Sequence, residues 1–177
     1  METSDITAEM ERVRADFHNL IDGATTAELR AGSDGTKWTN EQLLFHMLFG
    51  YLLVHNLLPL VKVLASLPRS VSKGFAAILN AGTRPFHVIN YVGSLGGGRI
   101  LGSSGMERLM DFIIGRLQRF VTRANEDALN RGMHFPTAWD PYFRDYMTLR
   151  EIHHYPTQHY DHHRRQLTLA ATRAAEL

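Results

Sequence analysis

The sequence predicts an all-α protein: a bundle of four long helices with an extra helical and loop insert between the second and third of them. Three observations predict it. Apolar residues recur at helical spacing over four long stretches, three Ser/Thr-x-x-Glu/Gln capping boxes mark helix starts, and almost no stretch alternates as a strand does. At 177 residues and 20.1 kDa the chain reads as one domain over 1–177, long enough to bury a core.

Met10, Val13, Phe17, Leu20 and Ile21 share one face of a first helix over about 7–22, with Asp5 or Thr7 to cap its start and Gly23 just past its end. Residues 23–37 are a polar connection with a short helical turn at Thr26–Arg30. The second helix has the sharpest start in the chain. Thr39 is a natural N-cap, Gln42 stands three residues on to close a capping box, and Trp38 and Leu43 flank it as a hydrophobic staple. Residues 43–54 are apolar nearly all round, so this helix is expected at the centre. His46 is its odd member. Burying a neutral imidazole without a partner costs about 1–3 kcal/mol, so either a core hydrogen bond or a metal ion must satisfy it. His55, nine residues on, falls on the opposite face and cannot share a site with it.

Leu57-Leu58-Pro59 is expected to break or kink the helix. Residues 60–80 read as a further helix, interrupted near Pro68 and restarted at Ser70 or Ser72. From Asn80 to Gly105, seven glycines and Pro85 mix with aliphatic and aromatic residues, and a long, partly apolar connection is expected there, covering the core or a pocket mouth. Gly96-Gly97-Gly98-Arg99 is not a phosphate loop, since no Gly-Lys-Ser/Thr follows. Ser104 and Glu107 form the second capping box, before a third long helix that continues through Leu117 and Val121 to about Asn130, with Gly132 at its end. Residues 133–147 are a proline-punctuated, aromatic connection. Thr148 and Glu151 form the third box. The helix they open is expected to reach about Ala171, with Pro156 kinking or splitting it ahead of His159.

Composition removes several function classes. A net charge of +1 gives no strong field to recruit nucleic acid or an anionic membrane. The absence of cysteine excludes disulfides, thiolate metal sites and a cysteine nucleophile. The polar start, Met1-Glu2-Thr3-Ser4-Asp5, is not a signal peptide, so a cytoplasmic location is expected. Residues 43–67 are long enough to cross a bilayer. However His46, His55, Asn56, Pro59 and Lys62 interrupt them, so no stable membrane insertion is expected, and a membrane-peripheral role for 47–67 is the weakest reading.

The chemistry concentrates in Gln158-His159-Tyr160-Asp161-His162-His163-Arg164-Arg165-Gln166, which holds three of the ten histidines. On a helix His159, His162, His163 and Gln166 lie along one stripe, and His159 and His163, one turn apart, are spaced to grip one transition-metal ion. A solvated polar face or a buried hydrogen-bond network has the same spacing, and a metal site needs a further ligand from elsewhere. An ion shared with His46 would also satisfy that buried ring.

Trp38-Thr39-Asn40-Glu41-Gln42-Leu43-Leu44-Phe45-His46, together with Thr148-Leu149-Arg150-Glu151 and His159 to Leu167, resembles the DinB/YfiT-like superfamily. Its pattern is a tryptophan-started helix bearing one histidine, then a distant H-x-x-x-H followed by R-x-Q. The resemblance implies a four-helix bundle holding a divalent metal on three histidines, here His46, His159 and His163. The family includes metal-dependent hydrolases, a mycothiol-dependent maleylpyruvate isomerase, and thiol-dependent S-transferases of the mycothiol and bacillithiol type. The chain departs from the usual pattern in its insert, about 57–103, and in Pro156.

Three neutral imidazoles leave a metal ion its full charge and open positions, which lowers the pKa of a water toward about 7 or favours a thiolate. Zinc fits first; nickel, iron and copper also suit such a donor set. Lacking cysteine, the chain must receive any thiol as a low-molecular-weight cosubstrate. The expected activity is therefore transfer or hydrolysis on a small, partly apolar substrate. Asp161, His162 and Gln166 are candidates to orient the ligating rings, and Arg84, Tyr91 and Arg99 are candidates to touch substrate. The alternative is a non-catalytic metal- or ligand-binding bundle acting as a dimeric interaction protein, with 85–101 as the homodimer interface.

Overall fold

The computed structural model describes residues 2–174. In chain order the elements are α1 (Thr3–Asp22), α2 (Thr26–Arg30), α3 (Asn40–Ala65), α4 (Arg69–Ala81), α5 (Thr83–Arg123), α6 (Glu126–Asn130), β1 (Gly132–His134), β2 (Tyr146–Thr148), α7 (Leu149–Arg164) and α8 (Ala170–Ala174). The four long helices α1, α3, α5 and α7 make the bundle. α3 packs on α5 and α7, and α1 closes the other side against the same two. One apolar cluster runs through them, from Ile6 and Phe17 of α1 through Leu44 and Tyr51 of α3 and Ile113 of α5 to Tyr160 of α7. α3 is long and apolar enough to cross a membrane; here it is the helix on which α5 and α7 pack.

Local chemistry explains most boundaries. α3 and α7 start at the expected boxes. Thr39 Oγ1 accepts from Gln42 N–H and Gln42 Oε1 accepts from Thr39 N–H, and Thr148 and Glu151 exchange the same pair of bonds. α1 starts earlier than expected, because Asp5 does not cap from outside. It stands in the first turn and accepts from the backbone of Glu2, the true N-cap.

Five departures are informative. α3 runs through Pro59 without a break. Proline frees one carbonyl, that of His55, and Pro59 lies on the exposed face where water can reach it. α7 likewise continues through Pro156. It ends at Arg164 rather than near 171. Residues 165–169 instead run against the start of α3, where Asn40 accepts from Thr168 N–H and donates to Thr168 Oγ1, and Asp34 N–H donates to the Gln166 carbonyl. Those bonds satisfy backbone that a helix would otherwise satisfy itself. The connection at 133–147 is closed at its base by an antiparallel ribbon pairing Met133 with Met147.

The largest departure is the segment expected as a connection between Asn80 and Gly105. It is helical, and only Gly102 (φ 62, ψ 176) leaves helical geometry, so α5 comprises two halves, 83–101 and 103–123. Ser104 therefore lies beyond the restart, and Glu107 turns to His18 (Nδ1 to Oε1 3.2 Å). Gly97 and Gly98 serve packing rather than turning. A Cβ on Gly97 would lie 2.2 Å from the Phe45 ring, and one on Gly98 would lie 3.0 Å from the Glu41 carbonyl oxygen. Each costs up to about 1 kcal/mol of helix propensity against alanine, and in return α5 seats closely on α3.

Candidate metal centre

α3 and α7 carry the three histidines to one point. The first turns of α3, fixed by the Thr39 box, present His46 under the Trp38 ring, with centroids 4.4 Å apart. α7 presents His159 and His163 one turn apart on the facing side. His46 Nε2 is 3.2 Å from His159 Nε2 and 3.2 Å from His163 Nε2, and one ligand atom of each of the three lies within 4.8 Å of the others. His46 and His159 are buried.

The outer nitrogens decide what the inner ones offer. Ser94 Oγ donates to the Asn90 carbonyl (2.8 Å), so it turns only lone pairs toward His46 Nδ1 (3.3 Å), and that nitrogen carries the ring proton. His163 Nδ1 donates to Gln166 Oε1 (2.7 Å). The Nε2 atoms of His46 and His163 are then two bare lone pairs facing each other at 3.2 Å. Such an arrangement is repulsive unless a cation stands between them. A tetrahedral ion with nitrogen ligands at about 2.0–2.1 Å would separate them by about 3.3–3.4 Å, so the donor set fits a metal ion.

Protonation does not relieve the repulsion. Burial first, then the neighbouring His163, pushes His46 down to about 3. Burial pushes His163 down to about 4, against the opposing bond to Gln166, and His159 falls well below its ordinary value for the same reason. At neutral pH all three rings are neutral donors.

The remaining candidates divide. Gln166 holds His163. His162 turns to the Tyr142 hydroxyl (Nδ1 to OH 3.1 Å), with its ring perpendicular to that of His163. Asp161 faces α1 and pairs with Arg12 at 2.8 Å, away from the ring nitrogens. Tyr91 stacks beside Trp38, while Arg84 and Arg99 point to solvent. His55 lies on another face, against Phe112.

Besides Ser94, two residues at the centre are not marked as site residues by the sequence. Gly50 underlies His159, where a Cβ would stand 2.8 Å from Nδ1. A glycine within an apolar helix was the available signal. Asp140, on the connection between β1 and β2, brings Oδ2 to 3.8 Å from His159 Nε2 and accepts from the Tyr155 hydroxyl (2.9 Å) and the Tyr142 N–H (2.8 Å). Burial raises its carboxyl above the usual range, partly offset by those two bonds. Nothing in its local sequence marks it. Beyond Tyr155, apolar cavities of about 30 and 130 Å³ share the side chains of Leu53, Leu57 and Phe143 and continue between α3 and α4.

The DinB superfamily model matches residues 9–167. Among solved structures the chain is similar to YfiT from Bacillus subtilis, a probable metal-dependent hydrolase with an unusual four-helix bundle topology. The alignment covers 98% of this chain and 87% of that one, with a TM-score of 0.64 at 15% identity, a likeness of fold. No curated protein matches the chain significantly.

Proposed function

The chain belongs to the DinB superfamily, and on that premise we propose that it is a metal-dependent enzyme whose divalent ion, zinc foremost, is held by His46, His159 and His163. The reading rests on one observation, the two bare Nε2 lone pairs turned toward each other at 3.2 Å. A divalent ion there supplies a Lewis acid with open positions, which favours the anionic form of a water or thiol brought to it.

The chain's own residues do the rest. Gln166 and Ser94 fix the tautomers, so that Nε2 is the donor atom of His163 and His46. Asp140, with its carboxyl raised by burial and one oxygen 3.8 Å from the His159 donor atom, is placed to take the proton released by the nucleophile. Tyr155 holds that carboxylate in place. With no cysteine in the chain, a thiol nucleophile comes from a small cosubstrate. The apolar cavities beyond Tyr155 give room for the apolar part of a small substrate. The reaction is hydrolysis or thiol transfer, and YfiT's description as a probable hydrolase favours the former.

Elemental analysis of untagged protein tests the ligand set. Wild type is expected to hold about one divalent ion per chain, with H46A and H159A losing it and D140N keeping it but losing turnover of activated esters or thiol conjugates. Near-stoichiometric metal in both histidine variants would defeat the assignment.

A further inference from the structure

The first half of α5 is built inside out. Around the histidines its inner side is small or polar: Asn90 and Ser94 lie against His46, and Gly97 and Gly98 against Phe45 and Glu41. Its outer side is aliphatic. Val88, Ile89, Val92 and Ile100 are 62%, 64%, 57% and 84% exposed. At 100° per residue these four fall, with Pro85, on one stripe along about 24 Å of helix. Single exposed aliphatics are ordinary, but four of them on one side of a single helix, with Gly93 and Gly96 in the gap between Val92 and Ile100, mark a surface meant to be covered.

Charge identifies what covers it. The whole-chain balance of +1 averages two unequal parts. From Gln42 to Met106, 65 consecutive residues contain no aspartate or glutamate, but they include Lys62, Arg69, Lys73, Arg84 and Arg99. All 18 acidic residues of the chain lie outside that stretch. Arg84 and Arg99 are exposed at the two ends of the aliphatic stripe. A two-fold pairing of copies through this face would oppose two surfaces that each carry Arg84 and Arg99, with the half-buried Glu41 beneath Gly98 as the nearby carboxylate. A nucleic acid would leave the aliphatic stripe without a partner. A bilayer with anionic headgroups satisfies both halves of the pattern: acyl chains take the aliphatic side chains, and the arginines extend from the helix ends to lipid phosphates.

We propose that residues 83–101 form a reversible docking surface for an anionic lipid bilayer, lying in the interface plane with Val88, Ile89, Val92 and Ile100 toward the acyl chains. The inference stands independently of the reaction catalysed. It places the three-histidine centre one helix diameter, about 10 Å, beneath the headgroups, because the inner side of the same helix touches His46.

Co-sedimentation of the full-length, zinc-loaded protein with vesicles tests it. Binding is expected to vesicles of phosphatidylglycerol and phosphatidylcholine, to weaken with added salt, and to be at least about tenfold weaker on phosphatidylcholine alone. R84Q/R99Q is expected to bind the anionic vesicles about 20- to 30-fold more weakly, from about fivefold per basic residue. I89D/V92D is expected to lose at least about 30-fold. Both variants should keep the circular dichroism and metal content of wild type; if I89D/V92D misfolds, R84Q/R99Q decides. No sedimentation, equal binding to both vesicle types, or R84Q/R99Q binding as wild type overturns the proposal. So does a wild-type dimer in analytical ultracentrifugation that I89D/V92D dissociates, since a second copy would then cover the stripe.

Discussion

α7 and the first half of α5 approach His46 from different sides, and they are built by opposite rules. α7 opens on a closed capping box and is tied to α1 by charge: Asp16 accepts two bonds from the Arg164 guanidinium (2.7 and 2.9 Å) and one from the buried Tyr160 hydroxyl (2.8 Å). The first half of α5 opens on Gly82 with no side-chain cap, carries four glycines within six residues (93–98), and turns its aliphatic residues outward. Two of the three histidines therefore sit on a helix tied to its neighbour by charge, and the covering helix is held by shape and the Ser94–His46 bond, with no ion pair among the described residues. A donor set must keep its geometry to within fractions of an ångström, and its cover has no such demand.

The comparison can be broken hardest at Asp16. D16A leaves the Tyr160 hydroxyl buried without an acceptor and Arg164 without a partner, so urea unfolding is expected to show a loss of about 2–3 kcal/mol, with weakened metal retention. An unchanged midpoint would show that α7 is not held as described. Next in size, G97A drives a methyl into the Phe45 ring, which must turn aside. A cost of about 1–2 kcal/mol is expected, and hydrogen exchange should quicken across 83–101 while α7 keeps its protection. Equal quickening in both helices would erase the distinction.

The smallest effect sharpens the contrast within α5 itself, because the second half has the charge ties the first lacks. His18 of α1 sits between Asp111 (2.9 Å) and Glu107 (3.2 Å). Its bond to Asp111, outweighing burial, raises it above its ordinary 6.5. A raised histidine stabilises the fold fully below its unfolded value, near pH 6.5, and that contribution fades as pH climbs through the folded value. The ring is a third exposed, so the gain is below about 1 kcal/mol. Urea midpoints of wild type should fall slightly from pH 6 to 8 relative to those of H18Q, and parallel curves would remove the ion pair from the account.

What the sequence disclosed follows the same division. The starts of α3 and α7 were legible because a capping box is local: Thr39 with Gln42 and Thr148 with Glu151 lie three residues apart and need nothing else. The i, i+4 spacing of His159 and His163, and the oddness of His46 in an apolar helix, were legible for the same reason. The Gly-rich segment was misread because glycine has two uses that look alike in a string of letters. It permits a turn, as at Gly102, or it permits close approach, as at Gly97 beneath Phe45, and only the neighbouring helix distinguishes them. The end of α7 depends on Asn40, more than 120 residues upstream, and Asp140 reaches the centre on a connection with no periodicity to betray it.

Gly102 carries one more implication. Its torsions, φ 62 and ψ 176, belong to a region that side-chain-bearing residues scarcely enter. They set the heading of a half-helix about 28 Å long. At that lever arm, a twist of about 10° at this single residue sweeps the far tip through about 5 Å.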